Sequence, residues 1–237
     1  MKPRKYLIGS GYHCRPGQTF DKFYPIWYDN TVKYAKPEKI LILASGGCFI
    51  NGARAPGTWI HMDGDLGHVH DLNNHRKPYH WCGWSIAFVT LALLAYFDEC
   101  DFIWKEQDVL AFGPWPERMY DEIGDAGMIF GSAKCMPAVQ SLVLCKHEFI
   151  PEFVRLFLGS GSEQLKTNEG EIKFRRLEEQ NPGKFARYSF PFDRDRPLNM
   201  SLPVWYAQHV TADEMRQMVK VGLLPDYTPI LDNHWAK

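Results

Sequence analysis

"DFIWKEQDVLAFGPW", residues 101–115, opens on an apolar strand-like run and reaches a glutamate and an aspartate one residue apart before turning apolar again. Side chains at i and i+2 of an extended segment share a face, so Glu106 and Asp108 are expected side by side with Gln107 turned away. Mn²⁺ and Mg²⁺ favour oxygen ligands and are commonly held by one or two carboxylates plus substrate phosphates. A cation so placed could neutralise charge on a departing diphosphate. Spacing alone does not select this pair, because acids also recur at i,i+2 at 63/65, 99/101, 169/171 and 193/195. Placement at the end of a buried strand narrows the choice to Glu106/Asp108 and Asp63/Asp65. The apolar helix and clean strand ahead of 106/108 favour that pair.

Outward from this stretch the chain alternates strand and helix. "KYLIGSGYH" reads as a β-prone run ending in Gly9-Ser10-Gly11, and "FDKFYPIWYDNTVKYA" places its apolar residues near helical spacing. "KPEKILILASGG" is an uninterrupted aliphatic run between turn signals, the pattern of a strand buried on both faces of a parallel sheet. "TWIHMDGDLGHVHDL" reads as a strand entering a polar loop, and "GWSIAFVTLALLAYF" as a helix with Ser85 at its N-cap. The expected fold is α/β, with a mostly parallel central sheet flanked by helices. Ligands of such sheets bind beyond the carboxyl ends of the strands. Gly9-Ser10-Gly11, Ser45-Gly46-Gly47 and Glu106-Gln107-Asp108 should therefore meet on one rim. In the second half, "MIFGSAKCMPAVQSLVLCKHEFIPEFVRLFL" reads as a strand pair and a helix starting near Ile150-Pro151. The polar segment after it leads into a further helix, and "FARYSFPFDRDRPLNMSLPVWYAQHV" reads as irregular.

Composition limits the function classes. A chain of 237 residues, 45% hydrophobic and 14% aromatic, can bury a substantial core as one domain, residues 1–237. A net charge of −1 and a pI near 6.7 lack the basic footprint of a nucleic-acid binder. The longest apolar run, Ile86 to Phe97, has 12 residues, too few to span a bilayer, and reads as a buried helix. "MKPRKYLIGSGYH" has no apolar core of a signal peptide, and six scattered cysteines without a CxxC suit free thiols, so a cytoplasmic location is expected.

The region "AFVTLALLAYFDECDFIWKEQDVLAFGPW" resembles the metal-site region of GT-A-fold nucleotide-sugar glycosyltransferases, in which an apolar helix precedes a strand ending in a DxD-type motif. Glu106-Gln107-Asp108 is then an ExD variant, followed by the aliphatic pair Val109-Leu110. "GDLGHV", "KEQDVLAFG" and "YAQH" together point to the members that build surface glycans. The resemblance implies a GT-A-like, Rossmann-type sheet with a nucleotide-sugar-binding half at 1–115 and a loop-rich acceptor-binding half at 116–237. It implies Mn²⁺ or Mg²⁺ on Glu106 and Asp108, with His209 of "YAQHV" as a third ligand. Ser10, Gly11 and Tyr12 would take the nucleoside, Tyr12 stacking on the base. Asp65, Gln107 and Arg196 would contact the nucleotide-sugar, and Arg194 and Arg196 could reach phosphate. Glu171 of "NEGEIKF", with Glu169 beside it, is the candidate base for the acceptor hydroxyl. The implied partners are a UDP- or GDP-type sugar donor and a glycan acceptor, the activity a hexosyl or pentosyl transfer. Association with a membrane surface stays open.

Two other classes stand beside this one. Residues 61–75, "HMDGDLGHVHDLNNH", hold four histidines and three aspartates and could serve a metal-dependent hydrolase. His68 and His70 form an HxH, yet Asp71 and His75 do not complete an HxHxDH run. Asp63-Gly64-Asp65 is itself a literal DxD and competes for the metal. Eight tryptophans and eleven tyrosines could instead form a non-catalytic carbohydrate-binding surface. The absence of a GxSxG elbow argues against a serine hydrolase.

Overall fold

The computed structural model describes residues 4–13, 20–45, 56–62, 83–133, 136–159, 170–193, 198, 200 and 204–227. A seven-stranded sheet runs through it. In chain order its strands are β1 (Tyr6–His13), β2 (Lys39–Ser45), β3 (Thr58–His61), β4 (Asp101–Lys105), β6 (Met128–Ala133), β7 (Met136–Cys145) and β8 (Phe185–Arg187). Their spatial order is β3-β2-β1-β4-β7-β6-β8. β3, β2, β1 and β4 are mutually parallel, as are β6 and β8, and β7 alone runs against its neighbours β4 and β6. The mostly parallel α/β architecture is as expected. A second sheet of three strands, ordered β5-β10-β9, joins β5 (Val109–Phe112), β9 (Phe192–Asp193) and β10 (Trp205–Gln208).

Strand periodicity divides the core into two. Ile8, Ile40, Ile42, Ala44 and Ile103 face one side, where α1 (Phe20–Tyr34), α3 (Trp115–Glu122), α6 (Ala212–Lys220) and the small sheet cover them. Leu7, Leu41, Leu43, Phe102 and Trp104 face the other, under α2 (Gly83–Phe97), α4 (Ile150–Gly159) and α5 (Gly170–Gln180). The period of two explains why "KILILA" is apolar throughout, since both faces of β2 are covered. The 12-residue apolar run lies in α2, which packs its Phe88, Leu91 and Ala95 against the sheet. No helix among the described residues is long and apolar enough to cross a membrane.

Three local expectations change. The Gly9-Ser10-Gly11 segment lies inside β1 rather than at its end, because α2 crosses there at close range. A Cβ on Gly9 would come within 2.6 Å of Phe102 Cε2, and one on Gly11 within 3.0 Å of the Ala87 Cβ. These glycines make room for a helix. Ser85 is not an N-cap, since α2 begins at Gly83, and its buried hydroxyl accepts from Lys173 Nζ at 3.2 Å. The aromatic, proline-rich segment expected to be irregular contributes β8, β9 and β10. Trp27, Trp104, Trp115 and Trp205 are all fully buried, so much of the aromatic content builds the core rather than a sugar-binding surface.

Candidate functional site

β4 ends at Lys105, and Glu106 to Asp108 form a tight turn closed by the Val109 N–H donating to the Glu106 carbonyl at 3.1 Å. The acidic pair thus projects from a turn rather than from an extended strand, because the chain leaves the large sheet here to begin β5 of the small one. Two further bonds fix the backbone at Glu106: its N–H donates to the Ser141 carbonyl at 2.9 Å, and its carbonyl also accepts Trp27 Nε1 at 2.8 Å.

Alternation along β4 carries past its end. Lys105 falls on the face of Ile103, under α1, where its Nζ donates to Asn30 Oδ1 at 2.8 Å and Thr31 Oγ1 at 2.7 Å. The ammonium lies 4.9 Å from the Trp27 ring centre, and the residue is wholly buried. Burial holds its pKa well below the ordinary lysine range. Asn30 Oδ1 also accepts the Ala111 N–H at 3.0 Å, which ties α1 to both β4 and β5. Glu106 falls on the opposite face, toward α2, where Trp84 Nε1 donates to its Oε1 at 2.8 Å.

The remaining side chains arrive from about a hundred residues later. β10 pairs antiparallel with β5, which sets Gln208 opposite Val109 and beside the acidic turn. Gln208 Nε2 donates to Glu106 Oε2 at 2.8 Å and to both Asp108 oxygens, at 3.1 and 3.3 Å. His209 Nδ1 stands 2.9 Å from Asp108 Oδ2. Successive strand residues ordinarily point to opposite faces. His209 escapes this rule with φ at +56°, a left-handed conformation costly for a residue with a Cβ, and both side chains reach the acids. Thr211 then caps α6 through a reciprocal box with Glu214.

The structure therefore brings Glu106, Asp108 and His209 together at the end of the large sheet. Two carboxylates and an imidazole form a donor set suited to Mn²⁺ and, through the oxygens, to Mg²⁺. The Gln208 amide bridges the two carboxylates, and among the described residues no three His, Cys, Asp or Glu side chains are already gathered into a cage for a cation. Gln107 is partly exposed in the same turn. Glu171 lies in the first turn of α5, partly exposed. That end of α5 abuts the first turn of α2, with Lys173 on Ser85 and the Phe174 ring 5.9 Å edge-on from Trp84.

Ser10 and Tyr12 are buried, Tyr12 edge-on against Tyr24 and Trp59 at 5.7 and 5.6 Å. This corrects the expectation of an open stacking face for a base, because the core claims the Tyr12 ring. Asp63, Asp65, His68, His70, Asp71, His75, Glu169, Arg194 and Arg196 lie outside the described residues. Gln208, Trp84 and Lys105 are the members that sequence reasoning missed. The only signals were a glutamine adjoining the candidate histidine and a lysine inside an apolar strand. A separate cleft of about 490 Å³, lined by Tyr6, Lys33, Lys36 and Glu117 among others, opens near the start of β1, at the opposite end of the sheet.

No sequence-family profile matches the chain, and no curated protein sequence does. Solved structures do match. The galactosyltransferase LgtC, in complex with donor and acceptor sugar analogues, superposes with a TM-score of 0.55 at 10% identity, over 93% of this chain and 96% of that one. A glycosyltransferase involved in glycosylating the major capsid of PBCV-1 gives 0.52 at 9% identity, over 91% and 99%. The glycosyltransferase GlyE of Streptococcus pneumoniae gives 0.54 at 12% identity, covering 97% of this chain and 63% of that one. The fold is that of the GT-A-type glycosyltransferases.

Proposed function

We propose that this chain is a glycosyltransferase that moves a hexosyl or pentosyl group from a nucleoside diphosphate sugar, of the UDP or GDP type, to a hydroxyl of a glycan acceptor. Mn²⁺ or Mg²⁺ would be held by Glu106, Asp108 and His209. One observation carries the reading: residues about a hundred positions apart converge on a single acidic turn at the sheet end, with His209 Nδ1 2.9 Å from Asp108, in a glycosyltransferase fold. A left-handed histidine is an expensive way to place an imidazole, and such strain clusters at functional sites.

When bound, the cation would offset the negative charge of the leaving diphosphate. The chain's own contribution is positioning. Trp84 orients Glu106 from one side and Trp27 anchors its backbone from the other, which fixes the position of the acidic turn. The wholly buried Lys105 and Asn30 brace the strand beneath. Glu171 is assigned to take the proton of the acceptor hydroxyl in an inverting course. Ser10, Gly11, Gln107, Asp65 and Arg196 remain assigned to the nucleotide-sugar, Ser10 and Gly11 from within β1.

The test is thermal stabilisation by UDP, GDP, CDP, ADP and dTDP, each with and without Mn²⁺, on wild type and on Glu106→Ala/Asp108→Ala. A ligand at a hundred times its Kd stabilises by about 2.7 kcal/mol. One nucleotide should raise Tm only with metal and only in wild type. A metal-independent rise that persists in the double variant would move the site elsewhere.

A further inference from the structure

We propose that Gln208 is a built-in placeholder for the divalent cation, its amide nitrogen holding the acidic pair together in the metal-free protein and giving way when a cation enters. The inference rests on the metal reading of Glu106, Asp108 and His209, and deepens it by naming the residue that controls occupancy.

The geometry is that of a substitute. Nε2 contacts Glu106 Oε2 at 2.8 Å and the two Asp108 oxygens at 3.1 and 3.3 Å, so one nitrogen faces three carboxylate oxygens. A carboxamide NH₂ has two donors and no charge, enough to bridge two acids but not to neutralise them. Adjacent carboxylates repel, and the amide with Trp84 Nε1 and His209 Nδ1 offsets that repulsion until a real charge arrives. A cation needs the same oxygens and must approach closer, at roughly 2.0–2.2 Å for metal–oxygen bonds, against 2.8 Å and more for the amide. The two cannot share the position.

Gln208 can give way without disturbing the fold. Its backbone is held by the antiparallel pairing of Gln208 with Val109, so entry of the cation requires only rotation about side-chain bonds. Glu106 and Asp108 are both engaged by the amide, so a cation can take their oxygens only once the amide leaves. Burial of Gln208 to 7% exposure, in a small sheet whose other strands are short, makes an uncommitted polar side chain there costly. Its retention therefore needs the acids it bridges.

The experiment measures Mn²⁺ binding to the full chain by calorimetry, without nucleotide, for wild type, Gln208→Met and Gln208→Glu. Methionine keeps the length and removes both donors. Without a competing bridge to charged groups, Gln208→Met should bind Mn²⁺ on the order of tenfold more tightly. Gln208→Glu should bind tighter still, because it adds a carboxylate. In EDTA, Gln208→Met should lower Tm by roughly 5 °C in the wild-type background, and by much less beside Glu106→Gln/Asp108→Asn, where there is no repulsion left to bridge. Equal or weaker Mn²⁺ binding by Gln208→Met, with wild type saturable, overturns the placeholder alone; weaker binding would make Gln208 a ligand through its carbonyl oxygen. Absence of binding by all three proteins overturns the metal reading itself.

Discussion

Replacing Lys105 with methionine gives the sharpest test of how the acidic turn is supported. The amine is wholly buried, and its acceptors, Asn30 Oδ1 and Thr31 Oγ1, are both neutral. The Trp27 ring, 4.9 Å away, returns on the order of 2 kcal/mol to an ammonium there. Burial outweighs these contacts and depresses the folded-state pKa well below the lysine range. The unfolded chain, titrating near pH 10.4, then binds a proton that the folded chain does not. Stability must therefore rise with pH between the folded pKa and roughly 10.4, approaching about 1.4 kcal/mol per pH unit, and be lost as pH falls. Each pH unit inside that window corresponds to roughly 3–6 °C in Tm for a chain of this size.

Lys105→Met leaves neither accepting group without a hydrogen bond, because Asn30 Oδ1 keeps the Ala111 N–H and the Thr31 hydroxyl still donates to the Trp27 carbonyl at 2.6 Å. The variant should match or exceed wild type at pH 7 and lack the alkaline gain. Urea titrations of both proteins at half-unit steps from pH 7 to 9.5 isolate the effect, since other alkaline groups cancel in the difference. Parallel profiles would refute the reasoning and mean that Lys105 stays charged in the folded protein.

Two further outcomes follow from the packing. Gly9→Ala should cost about 1–3 kcal/mol in chemical denaturation, because the new methyl meets Phe102 at 2.6 Å and Leu91 at 3.0 Å beneath α2; an unchanged midpoint would mean that α2 can lift from the sheet. Thr211→Ala removes the capping box of α6, the helix that follows His209, and should cost ~1 kcal/mol in the same assay while Thr211→Ser recovers most of it.

Gln208 shows where the one-dimensional reading stops. The helices after Ile150 and Gly170, the strand pair 128–145 and the aliphatic strand 39–45 were all legible, since each carries its own periodicity or turn residues. So was the acidic pair, through its context. Its geometry differed from the expectation: Glu106 still alternates with Lys105, but the chain then turns, so Asp108 is placed by the turn rather than by strand alternation. The glycines of β1 read as a ligand turn because glycine marks both loops and close approaches; only the position of α2 tells the two apart. The 185–208 segment read as irregular because its strands have only two to four residues, too short for alternation to show.

Local pattern determined the α/β class, the central strands, the buried helix α2 and the candidacy of Glu106 and Asp108, because these depend on periodicity and residue chemistry along the chain; His209 became a candidate only through the resemblance to GT-A glycosyltransferases. Tertiary structure alone decided that His209 faces Asp108, that Gln208 bridges the acids, that Trp84 and Trp27 brace Glu106 and that Lys105 is buried beneath it. Each of these contacts joins residues more than twenty positions apart, through the pairing of β10 with β5 and the crossings of α1 and α2 over β4. Strand pairing and helix docking are set by the summed burial of two core faces, which no single stretch of sequence contains.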